Sequence, residues 1–339
     1  VMVVGGGGGG GSTIQGNIHE GGGGGAGGVV YIKHQSMASG EYTFKVGRGG
    51  NANAVGISSQ IVANASSAIA RIDGIPMEGM GGGYGQHSRN GKGTAGGSGG
   101  GSGNAETAYF YSAPSTQGNT VWDDDANAYV PGGHAGQIQI ACCRGTGGGG
   151  AGGSAIDYNN GGPGIELDIT GTPTFYAGGG GAEDDNAARQ NRQGLGGSGI
   201  GGQSGFNGSG FAGADHTGSG GGGADNPGAG GKGGSGIIVI RYLMDADGDG
   251  YGHETDFEWR CEAEGDYDQE EENDDCQHES IERGPEREDQ ELGPGGQGPE
   301  PRTQLEIETC LEHKVGRGWL GNDKNRLRQA FLLDPPDGD

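Results

Sequence analysis

The stretch GGSGIIVIRYLMDADGDGYGHETD, Gly233 to Asp256, divides the chain into two regions of different physics. A glycine-dominated region closes on the apolar run Ile237-Ile238-Val239-Ile240, and an acidic region begins at Asp245. Of the 87 glycines, 74 lie in residues 1–244. Acidic and basic residues number 16 and 11 before that point, and 29 and 9 after it. Only 30% of the chain is apolar, and glycine has no side chain to bury, so a single large apolar core is out of reach.

Upstream of Gly233, short apolar segments alternate with glycine. Val1-Met2-Val3-Val4 runs into the seven glycines 5–11, and GGGGGAGG (21–28) leads into Val29-Val30-Tyr31-Ile32. In EYTFKVGRGG, Tyr42, Phe44 and Val46 alternate with Thr43 and Lys45, a period of two that marks a strand. Ile57 to Ile72, QIQIACC (137–143), GIELDITG (164–171), TFYAGGGG (174–181) and GIIVIRY (236–242) continue the series, each bordered by glycine.

The glycine tracts admit two readings. Ordering glycine costs the most backbone entropy, so such tracts can be flexible linkers. However, the glycines fall in groups such as GTAGGSGGGSG (93–103) and GLGGSGIGGQSG (194–205). Spacing near three suits a left-handed helix with three residues per turn. Several such helices, lacking side chains, can approach until their N–H and C=O groups pair between neighbours. The expected fold is therefore mostly β and irregular. Residues 1–244 form a polyglycine II-like bundle with short strands and a capping sheet, 245–282 a small acidic module, and 283–339 a largely disordered tail. Short helices could form after Thr303, where Glu306 completes a capping box, and over Asn322–Leu333.

The order of these pieces resembles the glycine-rich domain of phage tail-fibre adhesins and of large secreted bacterial surface proteins. The resemblance covers about residues 1–242 and rests on the opening apolar-to-glycine segment, GGGAGGVVY, YTFKVGRGG, GGPGIELDITGTPTFYAGGGGA and the closing GGSGIIVIRY. It implies a compact glycine-rich fold whose loops display a recognition surface at the end of a fibre or on a cell surface. The expected partners are a cell-surface glycan or protein receptor, with fibre attachment or homo-oligomerisation.

The insertion 105–130 departs from that order. It concentrates Tyr109, Phe110, Tyr111, Trp122 and Tyr129 in a region otherwise poor in aromatics, with Asp123-Asp124-Asp125 beside the tryptophan. Aromatic faces next to carboxylates suit sugar rings and other partly apolar ligands. Tyr109, Tyr111, Trp122, Asp124 and Tyr129 are the candidate ligand contacts. The alternative is that these rings are local packing for a scaffold short of large side chains.

After Met244, Asp245-Ala-Asp247-Gly-Asp249-Gly250-Tyr251-Gly-His253-Glu-Thr-Asp256 fits the calcium-loop template D-x-D-x-D-G with an acid at position twelve. Alternate residues aim oxygens at one centre, and Gly250 permits the sharp turn. The expected ligands of calcium are Asp245, Asp247, Asp249, the Tyr251 carbonyl, His253 through a water, and Asp256. A solvated acidic turn is the alternative. The loop resembles dockerin-type and thrombospondin type 3 loops. Over about 245–276 it also resembles a metal-binding repeat of secreted bacterial proteins, which implies a Cys261–Cys276 disulfide. Cys276-x-His278 and Cys310-x-x-His313 lack the paired spacing of structural zinc sites.

A net charge of −25 disfavours nucleic acid, whose phosphates need Lys and Arg. The longest wholly apolar run is far short of the roughly 20 residues that span a bilayer. Lys92 and Lys232 are each followed by Gly, so no phosphate-loop G-K-[ST] is present, and His87, His134 and His216 read as surface residues. The chain reads as no enzyme. It reads as an extracellular, cell-surface or virion adhesin, the alternatives being an ice- or surface-binding structural protein or a matrix segment of a larger secreted protein.

Overall fold

Met2-Val3-Val4 forms the centre of a six-stranded sheet in the computed structural model, which describes residues 1–13, 20–33, 35, 37–38, 40–86, 92–103, 113–137, 145–155, 159–184, 192–206, 208–225, 227–242 and 328–332. In chain order the strands are β1 (Met2–Val4), β2 (Val29–Tyr31), β3 (Tyr42–Lys45), β4 (Ser59–Ala63), β5 (Ala68–Ile69), β6 (Arg71–Ile72), β7 (Ile75–Pro76) and β8 (Glu78–Gly79). They continue with β9 (Asn119–Asp123), β10 (Ala128–Pro131), β11 (Ile165–Leu167), β12 (Thr174–Tyr176), β13 (Glu183–Asp184), β14 (Arg192–Gln193), β15 (Ile237–Tyr242) and β16 (Arg328–Leu332). Among the described residues the helical content is one 3-10 turn at Gly197–Gly199.

The main sheet runs β10-β9-β2-β1-β15-β16. Its two centre pairings bring the start and the close of the glycine-rich region together: Met2, Val3 and Val4 lie opposite Tyr31, Val30 and Val29 on one side and Val239, Ile238 and Ile237 on the other. Both faces are covered. Met2, Val4, Tyr31, Val121 and Val239 pack on Leu167, Ile169 and Tyr176 of the β11–β12 hairpin region. Val3, Val30, Ile238 and Ile240 pack on Ile61, Ile72 and Met77. A strand buried on both faces needs no polar alternation, which explains the unbroken Ile237-Ile238-Val239-Ile240 run.

Away from this sheet the glycine tracts obey a rule of three. The amides of Gly5, Gly8 and Gly11 donate to the carbonyls of Gly28, Gly25 and Gly22; those of Gly6 and Gly9 donate to Ile57 and Ala54; those of Gly7, Gly10 and Thr13 donate to Gly234, Gly231 and Gly228. All these bonds are 2.8–3.0 Å long. Each carbonyl partner descends in sequence as the donor ascends, so the three donor-side neighbours are antiparallel. The carbonyls of Gly6 and Gly9 accept from Gly82 and Gly85, those of Gly7 and Gly10 from Gly50 and Asn53, and those of Gly8 and Gly11 from Gly221 and Ala224. The acceptor-side neighbours are parallel.

One tract is thus bonded to six others, with successive residues pointing in three directions. That is the geometry of threefold polyglycine II helices in hexagonal array. Tract 21–28 is interior in the same way: Gly21, Gly24 and Gly27 donate to Ala224, Gly221 and Gly218, while Gly22, Gly25 and Gly28 donate to Gln86, Gly83 and Met80. The backbone accounting that a side-chain core would otherwise dominate is closed between tracts. The linker reading does not hold for these residues.

Close approach dictates the composition. A Cβ on Gly8 would overlap the carbonyl of Gly83, and one on Gly24 the carbonyl of Gly8. Where a buried tract position tolerates more than hydrogen, it mostly holds a small residue, as at Ala26, Ala182, Ala224, Ser98, Ser219 and Thr146.

Two sequence expectations change. The segment Asn322–Leu333, expected in a largely disordered tail where a short helix could form, contributes through Arg328–Leu332 the edge strand β16, antiparallel to β15 with Ile238 opposite Leu332 and Tyr242 opposite Arg328. Pairing along an open sheet edge outweighs a helical propensity that has no core to join. The strand expected in QIQIACC reaches the described residues only at Gln137, which bonds from its amide to Gly147 O at 3.1 Å.

Candidate functional site

The β9–β10 hairpin builds the best-defined polar and aromatic cluster. A four-residue connection, 124–127, joins its strands. Asp123 Oδ1 accepts the Ala126 amide at 2.9 Å, and Asn127 takes φ 47°, a left-handed conformation that asparagine tolerates. The register sets Tyr129 directly opposite Trp122. Their rings meet edge to face, with centroids 5.2 Å apart and planes at 75°, a geometry that favours the aromatic quadrupoles.

Asp124 ties this pair to β2. Trp122 Nε1 donates to Asp124 Oδ1 at 2.9 Å, and Lys33 Nζ donates to Asp124 Oδ2 at 2.7 Å. The ammonium also lies 5.6 Å from the centre of the Tyr31 ring. The hydrogen bond to Asp124 holds the Lys33 ammonium above its ordinary pKa, outweighing its partial desolvation. Burial raises the Tyr31 phenol, opposed by Lys33 and assisted by Asp168. Burial also raises Tyr129, helped by its hydrogen bond with Asp73.

Asp73 occupies the first position of the two-residue Asp73-Gly74 turn between β6 and β7, with φ 52° and 74° at the two residues. This aspartate-glycine turn matches the twist of a hairpin. The cluster is half-open: Lys33 is 26% and Asp124 62% exposed, so the ion pair adds at most about 1 kcal/mol to stability.

Of the candidate ligand contacts, Trp122, Asp124 and Tyr129 therefore converge. Tyr109 and Tyr111 lie outside the described residues, as do the calcium-loop residues Asp245, Asp247, Asp249, Tyr251, His253 and Asp256 and the cysteines Cys261 and Cys276. Of the insertion 105–130, the described residues from Ala113 bond to the bundle, pair through Ser115 with Gly96 and enter the main sheet as β9 and β10. The sequence does not point to Tyr31 and Lys33, which the parallel pairing of Tyr31 with Val121 brings beside the hairpin, nor to Asp73 of the β6–β7 turn and Asp168 after β11. Of the three histidines, His87 lies outside the described residues; His134 is half-buried, with Nδ1 3.3 Å from Gly150 O, and the half-buried His216 donates its amide to Ser235 Oγ.

A second feature is the end of the bundle away from the sheet. There Gly11 bonds to Gly22, Gly22 to Gln86, Gln86 to Gly101, Thr146 to Ser102, and Ala224 to Gly11. The connections 14–19, 87–91, 104–112 and 138–144 start from residues at that end and lie outside the described residues.

Among the described residues, no group of three or more His, Cys, Asp or Glu is placed to hold a metal ion, and no helix is long and apolar enough to cross a membrane. Residues 1–243 match the family described as the glycine-rich domain. Comparison with curated proteins and with solved structures gives no match.

Proposed function

Because the chain belongs to the glycine-rich domain family over residues 1–243, we propose that it is a non-enzymatic extracellular or virion-surface adhesin. In this reading the bundle is a rigid mount for surfaces that contact a cell-surface glycan or protein receptor, and the acidic module 245–282 is stabilised by calcium. The observation that carries it is the backbone-bonded bundle itself. Its described tracts spend nearly all their residues on a stiff scaffold, and the β9–β10 hairpin carries a cluster of aromatic and charged side chains on it. Binding residues on loops and hairpins held by a rigid frame are the common arrangement of recognition proteins.

Trp122 and Tyr129 offer ring faces with Asp124 and Lys33 alongside, the mixture that sugars and polar peptides require. The calcium reading rests on the loop template from Asp245 to Asp256.

The test is binding of the full-length chain to arrays of bacterial and animal surface glycans and to whole cells, in calcium and in EDTA. Trp122→Ala is expected to weaken binding at least about tenfold, since truncating an aromatic anchor costs on the order of 2 kcal/mol or more. Binding of the Trp122 variant is read well below its own melting transition, because the half-buried ring also packs on Tyr129. Chelation is expected to lower the melting transition of the acidic module without unfolding the bundle. A Trp122→Ala variant that binds as the parent does would remove the hairpin from the receptor surface. No binding to any surface by the parent would remove the adhesin reading.

A further inference from the structure

The closing strand β15 has β1 on one side and, on the other, a strand from far along the chain. Residues 243–327, 85 in number, separate Tyr242 from Arg328, yet the two lie opposite each other in the ladder. The family match ends at residue 243, so β16 comes from outside the glycine-rich domain. The domain's own part of the main sheet therefore ends on β15, whose Ile237 to Ile240 are buried. Without β16 that edge, apolar and unbroken by proline or charge until Arg241, would be a template for pairing with a further strand.

We propose that the outer edge of β15 is a strand-docking slot and that Arg328–Leu332 of a second copy of this chain fills it by exchange. In the structure the chain's own segment occupies the slot, over the five register pairs from Ile238–Leu332 to Tyr242–Arg328. Main-chain bonding of this type supplies affinity without a preformed pocket. The connection decides between own and foreign strand. At 85 residues it is long enough to carry the strand to a neighbouring molecule, since a chain reaches up to about 3.3 Å per residue. Exchange of an identical element then links crowded copies by the same contacts that close the monomer.

Two measurements test this on the full-length chain. Ala330→Pro removes a backbone donor opposite Ile240 and empties the slot, leaving the glycine-rich domain untouched. Leu332→Pro, opposite Ile238 and two residues along the same bonding side of the strand, is the second variant, and Ala330→Val the control that keeps the strand. A fluorescent peptide of residues 325–335 is expected to bind both proline variants at least tenfold more tightly than the parent, whose slot is filled. Failure to bind either variant, or equal binding to variants and parent, overturns the slot. In sedimentation up to millimolar protein, the parent and Ala330→Val are expected to dimerise and the proline variants to remain monomeric. A parent that stays monomeric, or proline variants that dimerise as the parent does, overturns the exchange.

Discussion

Replacing Gly24 by valine is expected to destabilise the bundle by about 4 kcal/mol or more, the upper tail of single-substitution effects. Gly24 is bonded on both sides, its amide to Gly221 O and its carbonyl from the Gly180 amide, each at 2.8 Å. A Cβ there meets the backbone of Gly8 and Gly9, which unlike a side chain cannot rotate away. Relief requires tracts 5–11 and 21–28 to separate, which breaks the ladder Gly5–Gly28, Gly8–Gly25 and Gly11–Gly22. For a domain of this size such a loss lowers the melting temperature by roughly 10–15 °C. Gly118 is the control. It has open space where a Cβ would stand, so Gly118→Ala should change stability by less than about 1 kcal/mol, and in the stabilising direction. Thermal unfolding of both variants checks the pair. Equal melting temperatures would mean that the tracts are not packed at backbone distance.

Ile238→Ala is expected to cost about 3–4 kcal/mol, within the range for emptying a buried isoleucine site. Ile238 is fully buried, next to Val3 in the ladder and packed with Ile61 and Met77 on one face of the main sheet. The apolar clusters of this protein are thin layers above and below one sheet, so few neighbours are free to close the cavity. Ile57→Ala, at a site 58% exposed, should change stability by less than about 0.5 kcal/mol. Urea unfolding of the two variants separates these outcomes, and similar losses would place Ile238 outside the core.

The scaffold was legible because its physics is local and repeated. Seven successive glycines beside Val1–Val4, and the glycine spacing of 93–103 and 194–205, are what a threefold helix without side chains demands. The close pairing in the structure supplies the reason. The Asp73-Gly74 turn, a strong two-residue hairpin signal, was passed over in a stretch read only as strand. What the sequence could not show is which tract neighbours which. Gly6, Gly7 and Gly8 are identical residues, yet they donate to Ile57, Gly234 and Gly25, so the lattice is fixed by rotation along the helix and not by side-chain identity.

The candidate site was legible by halves for a related reason. Trp122 and Tyr129 lie within one hairpin, so their meeting is a local event. Lys33 and Asp73 arrive through the sheet order and a second hairpin, at sequence distances no motif encodes. The edge strand was not foreseen because RLRQAFLL shows no strand pattern and no core to join, whereas its pairing with β15 depends on an edge created 85 residues earlier.

Hydrogen exchange at the amides of Gly5–Gly11 and Gly21–Gly28 tests the central claim most directly. If the tracts are polyglycine II helices bonded to their neighbours, every consecutive amide in both segments should exchange at least about a thousandfold more slowly than in an unfolded chain. Exchange at unfolded rates through these segments, or protection of alternate residues only, would contradict a fold held together by its backbone.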